Sequence, residues 1–220
     1  MKKLADDVYM LKGFPSNAVN VYVIGNVLID SATRLEKNRI LSQVRDHEIK
    51  AHALTHAHPD HQGSSKAVCE VLDIPLWCGA GDKYAMETGD YAHTTPGGRG
   101  NRFPHRLFNG RTHPVARTLV ESDEIGGFTV LETPGHTPGH LAYWREDDGF
   151  LIAGDVFFGM SLVTTRTGLH EPPKMFTLDV AQNRESARRL ASLEPKTVVF
   201  GHGKPTTDMD AFQAWVTALP

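Results

Sequence analysis

The stretch Ala53-Leu54-Thr55-His56-Ala57-His58-Pro59-Asp60-His61-Gln62-Gly63 constrains this chain more than any other. An apolar run that reads as a buried strand ends in three imidazoles and a carboxylate, a mixture that suits a metal and does not suit a core. His56 and His58 stand two apart, so on extended backbone they project to the same side. Pro59 cannot continue the strand and forces a turn, which brings Asp60 and His61 round to a second point in space. One short segment therefore supplies ligands to two neighbouring cations. The plain alternative is a histidine-rich polar loop, and with only 12 histidines in 220 residues such crowding argues against it.

A chain of 220 residues suits one well-buried domain, 1–220, rather than two independent ones. No apolar run approaches the roughly 20 residues of a membrane span. Met1-Lys2-Lys3-Leu4-Ala5-Asp6-Asp7 has two aspartates where a signal peptide carries its apolar region, which points to the cytoplasm. A net charge of -3, with lysine and arginine spread through the chain, offers no basic surface for nucleic acid. Cys69 and Cys78 are read as buried free thiols.

From Val8 to Asp30 apolar runs alternate with turn signals, the pattern of an antiparallel meander. Leu35, Ile40, Leu41 and Val44 predict a helix over 35–44, and Ala51 to Thr55 a strand, so a crossover with partly parallel pairing is expected. A helix over 64–72, a strand over 74–78 and a helix over 81–88 follow. Between Gly89 and Pro114 the pattern dissolves into a long loop, whose Arg99, Arg102, Arg106 and Arg111 either cradle an anionic substrate or face solvent. Strands over 115–120, 128–132, 141–144 and 150–153 read as a second antiparallel sheet, and 157–176 as a loop. A helix over 179–193, a strand over 197–200 and Gly201-His202-Gly203 close the pattern. Two sheets face to face, with helices on their outer faces, gather every ligand-bearing loop along one edge.

Counting ligands defines the site. A catalytic zinc takes three protein ligands and keeps one position open. His56, His58 and His136 make one set, Asp60, His61 and His202 the other, and Asp155 has two carboxylate oxygens with which to bridge them. The ordered motifs are H-x-H-x-D-H at 56–61, His136 in T-P-G-H-T-P-G-H, Asp155 in A-G-D and His202 in G-H-G. Together they resemble the metallo-β-lactamase superfamily over nearly the whole chain. The resemblance implies an α/β fold, the αββα four-layer sandwich of two mixed sheets flanked by helices. It also implies a dinuclear centre of two divalent metal ions, Zn2+ first, with Fe or Mn tolerated. Asp155 stands where a thiolate-bearing group of β-lactam-hydrolysing members has cysteine, which places the chain with the glyoxalase II and lactonase type.

The activity so implied is hydrolysis of an ester, thioester or lactone, a small-molecule acyl substrate, by a hydroxide activated between two metals. Asp60 is then both a ligand and the catalytic carboxylate that orients the hydroxide and passes a proton to the leaving group. The same scaffold serves a mononuclear-iron persulfide dioxygenase and a glutathione thioester hydrolase of the glyoxalase II type. The complete set Asp60, His61 and His202 argues against the first, and the short stretch after His202 against the second. Asp30 is expected either to accept a hydrogen bond from a ligating imidazole or only to cap a turn. His140 is read as packing its loop, and His170 as lying in a loop over the metals. Phe157, Phe158, Met160, Met175 and Phe176 are core or an apolar acyl pocket. Loops 89–114 and 157–176 are expected to set substrate choice while leaving the ligands alone.

Overall fold

A computed structural model describes residues 1–97 and 110–220. Arg99, Arg102 and Arg106 lie outside the described residues, and Arg111 is exposed. One sheet runs in chain order through β1 (Lys2–Ala5), β2 (Val8–Met10), β3 (Tyr22–Ile24), β4 (Val27–Ile29), β5 (Ala51–Ala53), β6 (Leu76–Gly79) and β7 (Arg117–Leu119). Two-residue turns join β1 to β2 and β3 to β4, a longer loop over 11–21 joins β2 to β3, and all three pairings are antiparallel. From β4 onward the connections are long and carry α1 (Lys37–Val44), α2 (Pro59–Gln62), α3 (Ser65–Leu72) and α4 (Lys83–Thr88), so β4 to β7 pair in parallel.

The second sheet contains β8 (Glu124–Ile125), β9 (Phe128–Glu132), β10 (Leu141–Arg145) and β11 (Phe150–Ile152), all antiparallel. A separate hairpin, β12 (Phe158–Met160) and β13 (Thr167–His170), stands where a loop was expected. The chain then forms α5 (Val180–Ala191), returns as β14 (Thr197–Val199) parallel to β11, and finishes in α6 (Met209–Thr217).

Residues 115–120 do not join the second sheet as expected: β7 pairs with β6, where the Arg117 guanidinium lies over the Trp77 ring at 5.5 Å. The reason is the crossover through α4, which returns the chain beside β6 in the parallel sense. Neither β1 nor α6 was anticipated. β1 is an exposed edge guarded by Lys2 and Lys3. α6 is capped by Asp208, which accepts from Ala211 N, and buries Phe212 and Val216 one turn apart.

Alternation along the strands fixes the layers. Val8, Met10, Tyr22, Ile24, Val27 and Ile29 face Phe128, Val130, Leu141, Tyr143, Phe150 and Ile152 across the sandwich. The alternate residues Val21, Val23 and Leu28 turn outward under Ile40 and Val44 of α1 and Val68 of α3. Leu131, Ala142, Leu151 and Val198 do the same under Ala187 and Leu190 of α5 and Phe212 of α6. Burial of each large side chain contributes about 1.5–3 kcal/mol, and a one-residue slip would reverse every face. Helices thus cover both outer faces of two mixed sheets, the four-layer α/β sandwich expected.

At one edge the sheets are tied together. Tyr22 Oη donates to Phe200 O and Tyr143 Oη to Leu54 O, each at 2.6 Å, so an inner aromatic of either sheet grips the end of a strand in the other. Asn20 Nδ2 donates to Phe200 O at 2.9 Å and to Gly203 O at 2.8 Å. Leu54 leads into His56 and Phe200 into His202.

Candidate metal centre

Strand ends bring the site together. His56 follows β5, Asp155 follows β11, His202 follows β14, and His136 lies in the β9–β10 connection. Pro59 ends the extended segment as expected and opens the single turn α2, which carries Asp60 and His61 away from His56 and His58. Three overlapping groups result: His56, His58 and His136; His56, His61 and Asp155; and Asp60, His61 and His202. Within each group the donor atoms lie within 4.8 Å of one another.

The hydrogen bonds fix which way each imidazole faces. His58 Nε2 donates to Thr94 O at 3.1 Å, and His202 Nδ1 donates to Ala18 O at 2.5 Å. His61 Nδ1 donates to Asp30 Oδ2 at 2.8 Å. Thr55 gives its own proton to Asp30 Oδ2, so its oxygen accepts from His56 Nδ1 at 3.1 Å. Thr177 likewise donates to Pro173 O and accepts from His136 Nδ1 at 3.2 Å. Every one of the five rings therefore has its outer nitrogen engaged and turns the other nitrogen inward. His58 Nδ1 faces His136 Nε2 at 3.0 Å, His61 Nε2 faces His202 Nε2 at 3.4 Å, and His56 Nε2 has no partner although buried. Inward nitrogens so close together need a proton or a metal cation between them, and the donor set fits divalent metal.

The carboxylates complete the fit. Asp155 Oδ2 lies 3.8 Å from His56 Nε2, 3.5 Å from His136 Nε2, 3.4 Å from His61 Nε2 and 3.3 Å from His202 Nε2. One oxygen thus faces both sets. Gly201 makes this approach feasible, since a Cβ there would overlap Asp155 Oδ1 and crowd His61. Burial, then the neighbouring imidazoles, hold His56 and His136 well below the usual histidine range, and burial lowers His58. For His61 and His202 burial is outweighed by Asp155, with Asp30 and Asp60 adding at His61 and Asp60 at His202; His202 rises to about 10. Metal competes for the sites of those protons.

A model of the Metallo-beta-lactamase superfamily matches residues 15–202. The chain belongs to that superfamily. It is an enzyme of the metallo-β-lactamase fold, a metal-binding hydrolase. Among curated relatives, the probable metallo-hydrolase YflN of Bacillus subtilis is 29% identical over 94% of this chain and 88% of its own. A hydroxyacylglutathione hydrolase of Bdellovibrio bacteriovorus is 29% identical over 70% of this chain but only 48% of its own length, so the match spans about half of that relative. Among solved structures, TTHA1623 in a di-iron-bound form is 30% identical, with a TM-score of 0.64 over 93% of this chain and 91% of that one.

Besides Thr55 and Ala18, the acceptors for His56 and His202, three supporting groups escaped the sequence reading. Asp82 is fully buried and accepts from Ala57 N, Thr137 Oγ1 and Gly139 N, each at 2.8 Å. Its carboxylate ties the backbone between His56 and His58 to the loop that carries His136. The other two are Thr94 and Thr177, the acceptors for His58 and His136. They correct the expectation that loops 89–114 and 157–176 stand apart from the ligands: Thr94 lies in the first, Thr177 adjoins the second, and Gly159 N donates to His202 O at 2.7 Å. A lone threonine in a loop carries no periodicity, so nothing in the sequence marks it as a ligand's partner.

Asp30 meets the stronger of its two expectations by accepting from His61. His140 donates from Nδ1 to Thr133 Oγ1 at 2.8 Å and accepts from Asp155 N at 3.0 Å, leaving no lone pair for metal. Burial lowers it to about 3, so it is neutral. His140→Ala is expected to retain its metal on gel filtration while kcat/KM falls by about tenfold, the lower end of what loss of an outer partner costs. His170 pairs in register with Phe158 on the hairpin. Cys69 and Cys78 are both buried and free.

The candidate ligands form the floor of a cleft of about 340 Å³. His58, Asp60, His136, Asp155 and His202 open into it, and Phe158, Leu162 and Phe176 form an apolar wall. Phe157 instead belongs to the core beside α6, with its ring 5.1 Å from that of Phe212.

Proposed function

We propose that this enzyme hydrolyses an ester, thioester or lactone with two divalent cations. His56, His58 and His136 would hold the first, Asp60, His61 and His202 the second, and Asp155 both. The observation that carries this reading is the single oxygen Asp155 Oδ2, within 3.8 Å of two imidazoles from each set. Cations held there supply Lewis acidity to a carbonyl oxygen and lower the pKa of water, the two things acyl hydrolysis needs. The protein's part is orientation. Asp30 and Thr55 hold His61 and His56 in register, while Asp82 sets the spacing of the two ligand loops.

Asp60 acts in the reaction as well as in binding. Its side chain is 39% exposed and lines the cleft, with Oδ2 3.3 Å from His202 Nε2. Against burial, His61 and His202 keep its carboxyl well below the usual range, so it is ionised and accepts a hydrogen bond from the attacking hydroxide, which it orients. Passing the hydroxide's proton to the departing oxygen or sulfur completes the step.

Zinc suits the donor set, and the di-iron form of TTHA1623 gives reason to include iron. Purified protein is expected to carry close to two metal ions per chain and to turn over members of a panel of thioesters, aryl esters, lactones and β-lactams. A glutathione thioester belongs in that panel on the strength of the hydroxyacylglutathione hydrolase likeness. One iron per chain with oxygen uptake on a persulfide, and no hydrolysis of any member, would replace this reading by the dioxygenase one.

A further inference from the structure

The apolar wall is built onto the ligands themselves. The Phe158 ring lies 4.6 Å from that of His202, and the next residue donates its backbone N–H to His202 O. On the other segment, Phe176 is followed by Thr177, which accepts from His136, and by Leu178, whose N–H donates to His136 O at 3.1 Å. The hairpin tip is held in its own right: Ser161 N donates to Arg166 O at 2.9 Å and Thr165 N to Ser161 O at 2.8 Å. Leu162 on that tip is 38% exposed and Phe176 is 40% exposed, yet both line the same cleft. Val163 and Met175, the residues beside them, extend the exposed apolar surface outward from its mouth.

Single exposed apolar side chains need no explanation. Two segments that converge apolar residues on one cleft, each bonded to a different ligand, do need one. We propose that Phe158, Leu162 and Phe176 bind an apolar substituent of the substrate, an aliphatic chain or an aromatic ring of several carbons on one side of the carbonyl that is cleaved. This rests on the acyl-hydrolase reading above and adds to it the chemistry of the group selected. The cleft volume lies near the small end of ligand sites, which suits a short to medium chain.

The metal-loaded full chain is to be tested on two series of p-nitrophenyl or alkyl esters. One lengthens the acyl side from acetyl to octanoyl; the other lengthens the alcohol side with acetyl constant. Burial of each methylene contributes about 0.8 kcal/mol, so kcat/KM is expected to rise about tenfold for every two carbons in one of the two series until the cleft is filled. The series that responds identifies which half of the substrate lies on the wall. In Leu162→Ser/Phe176→Ser the preference for the eight-carbon over the two-carbon member should fall at least tenfold while metal content is unchanged. Calorimetry with butanoate, hexanoate and octanoate gives a readout independent of turnover, with affinity rising along the series and the rise lost in the double variant. A flat dependence in both ester series and in calorimetry overturns the proposal. Chain-dependent binding without turnover of any ester, thioester or lactone would leave the wall as assigned and overturn the acyl-hydrolase reading.

Discussion

Asp155→Ala is expected to leave the enzyme with less than one metal ion per chain and without measurable hydrolysis, while far-UV circular dichroism stays native. Asp155 Oδ2 lies within 3.8 Å of two imidazoles of each set, so on the proposed two-cation reading its removal would take a donor from each cation and the negative charge that would hold them side by side. The loss should exceed the roughly 10- to 100-fold that an outer partner costs, and His140→Ala, whose imidazole accepts from Asp155 N, provides the comparison. Metal analysis after exhaustive dialysis, with activity on the best ester, decides it. Equal retention of metal in Asp155→Ala and His140→Ala would show that the bridge lies elsewhere.

Asp82→Ala should be nearly as damaging, although Asp82 is no ligand. Its carboxylate accepts from three buried donors, Ala57 N, Thr137 Oγ1 and Gly139 N. Burial raises its pKa, and those three bonds oppose the shift. Leaving the donors unpaired costs about 1–3 kcal/mol each before relaxation, and a net loss of about 3 kcal/mol lowers Tm by roughly 6–12 °C in a chain of this size. The same change frees the His58 and His136 segments to separate, so metal affinity should fall with stability. Asp82→Asn keeps one acceptor oxygen but turns an amide toward at least one donor, and it should lie between the two. Calorimetric melting with metal titration separates these outcomes: a melting loss with unchanged affinity would make Asp82 a structural residue alone.

Much of this was legible in the chain because the site is written in consecutive residues and the core in alternation. His56, His58, Asp60 and His61 announce themselves by crowding, and their division follows from Pro59. The two sheets follow from runs such as Val27-Leu28-Ile29 and Phe150-Leu151-Ile152, whose faces both proved buried. What stayed hidden depends on pairing at a distance. Nothing local distinguishes Val115 to Val120 as a neighbour of β6 rather than of β9, since strand propensity does not name a partner. Asp82, read as part of a helix, looks like any surface aspartate until the turn containing Gly139 is folded against it. Gly139 itself has no room for a Cβ beside that aspartate. The hairpin over 158–170 turns through Ser161 to Arg166, which contain neither glycine nor proline, while Gly159 and Gly168 fall inside its short, partly exposed strands, a pattern that does not separate from a loop.

The parallel strands β4, β5, β11 and β14 all run toward the same edge, so each one ends in a residue the site uses: Asp30, His56, Asp155 and His202. The opposite edge holds return turns such as Glu146-Asp147, exposed between β10 and β11. The molecule therefore has a working rim and a rim free to vary. An insertion at Glu146-Asp147 lengthens a connection and disturbs no ligand, whereas one extra residue within β14 rotates His202 to the wrong side and carries it about 3.3 Å along the strand. A fold arranged this way can take on new surface, and with it new neighbours in the cell, from the rim that does no chemistry.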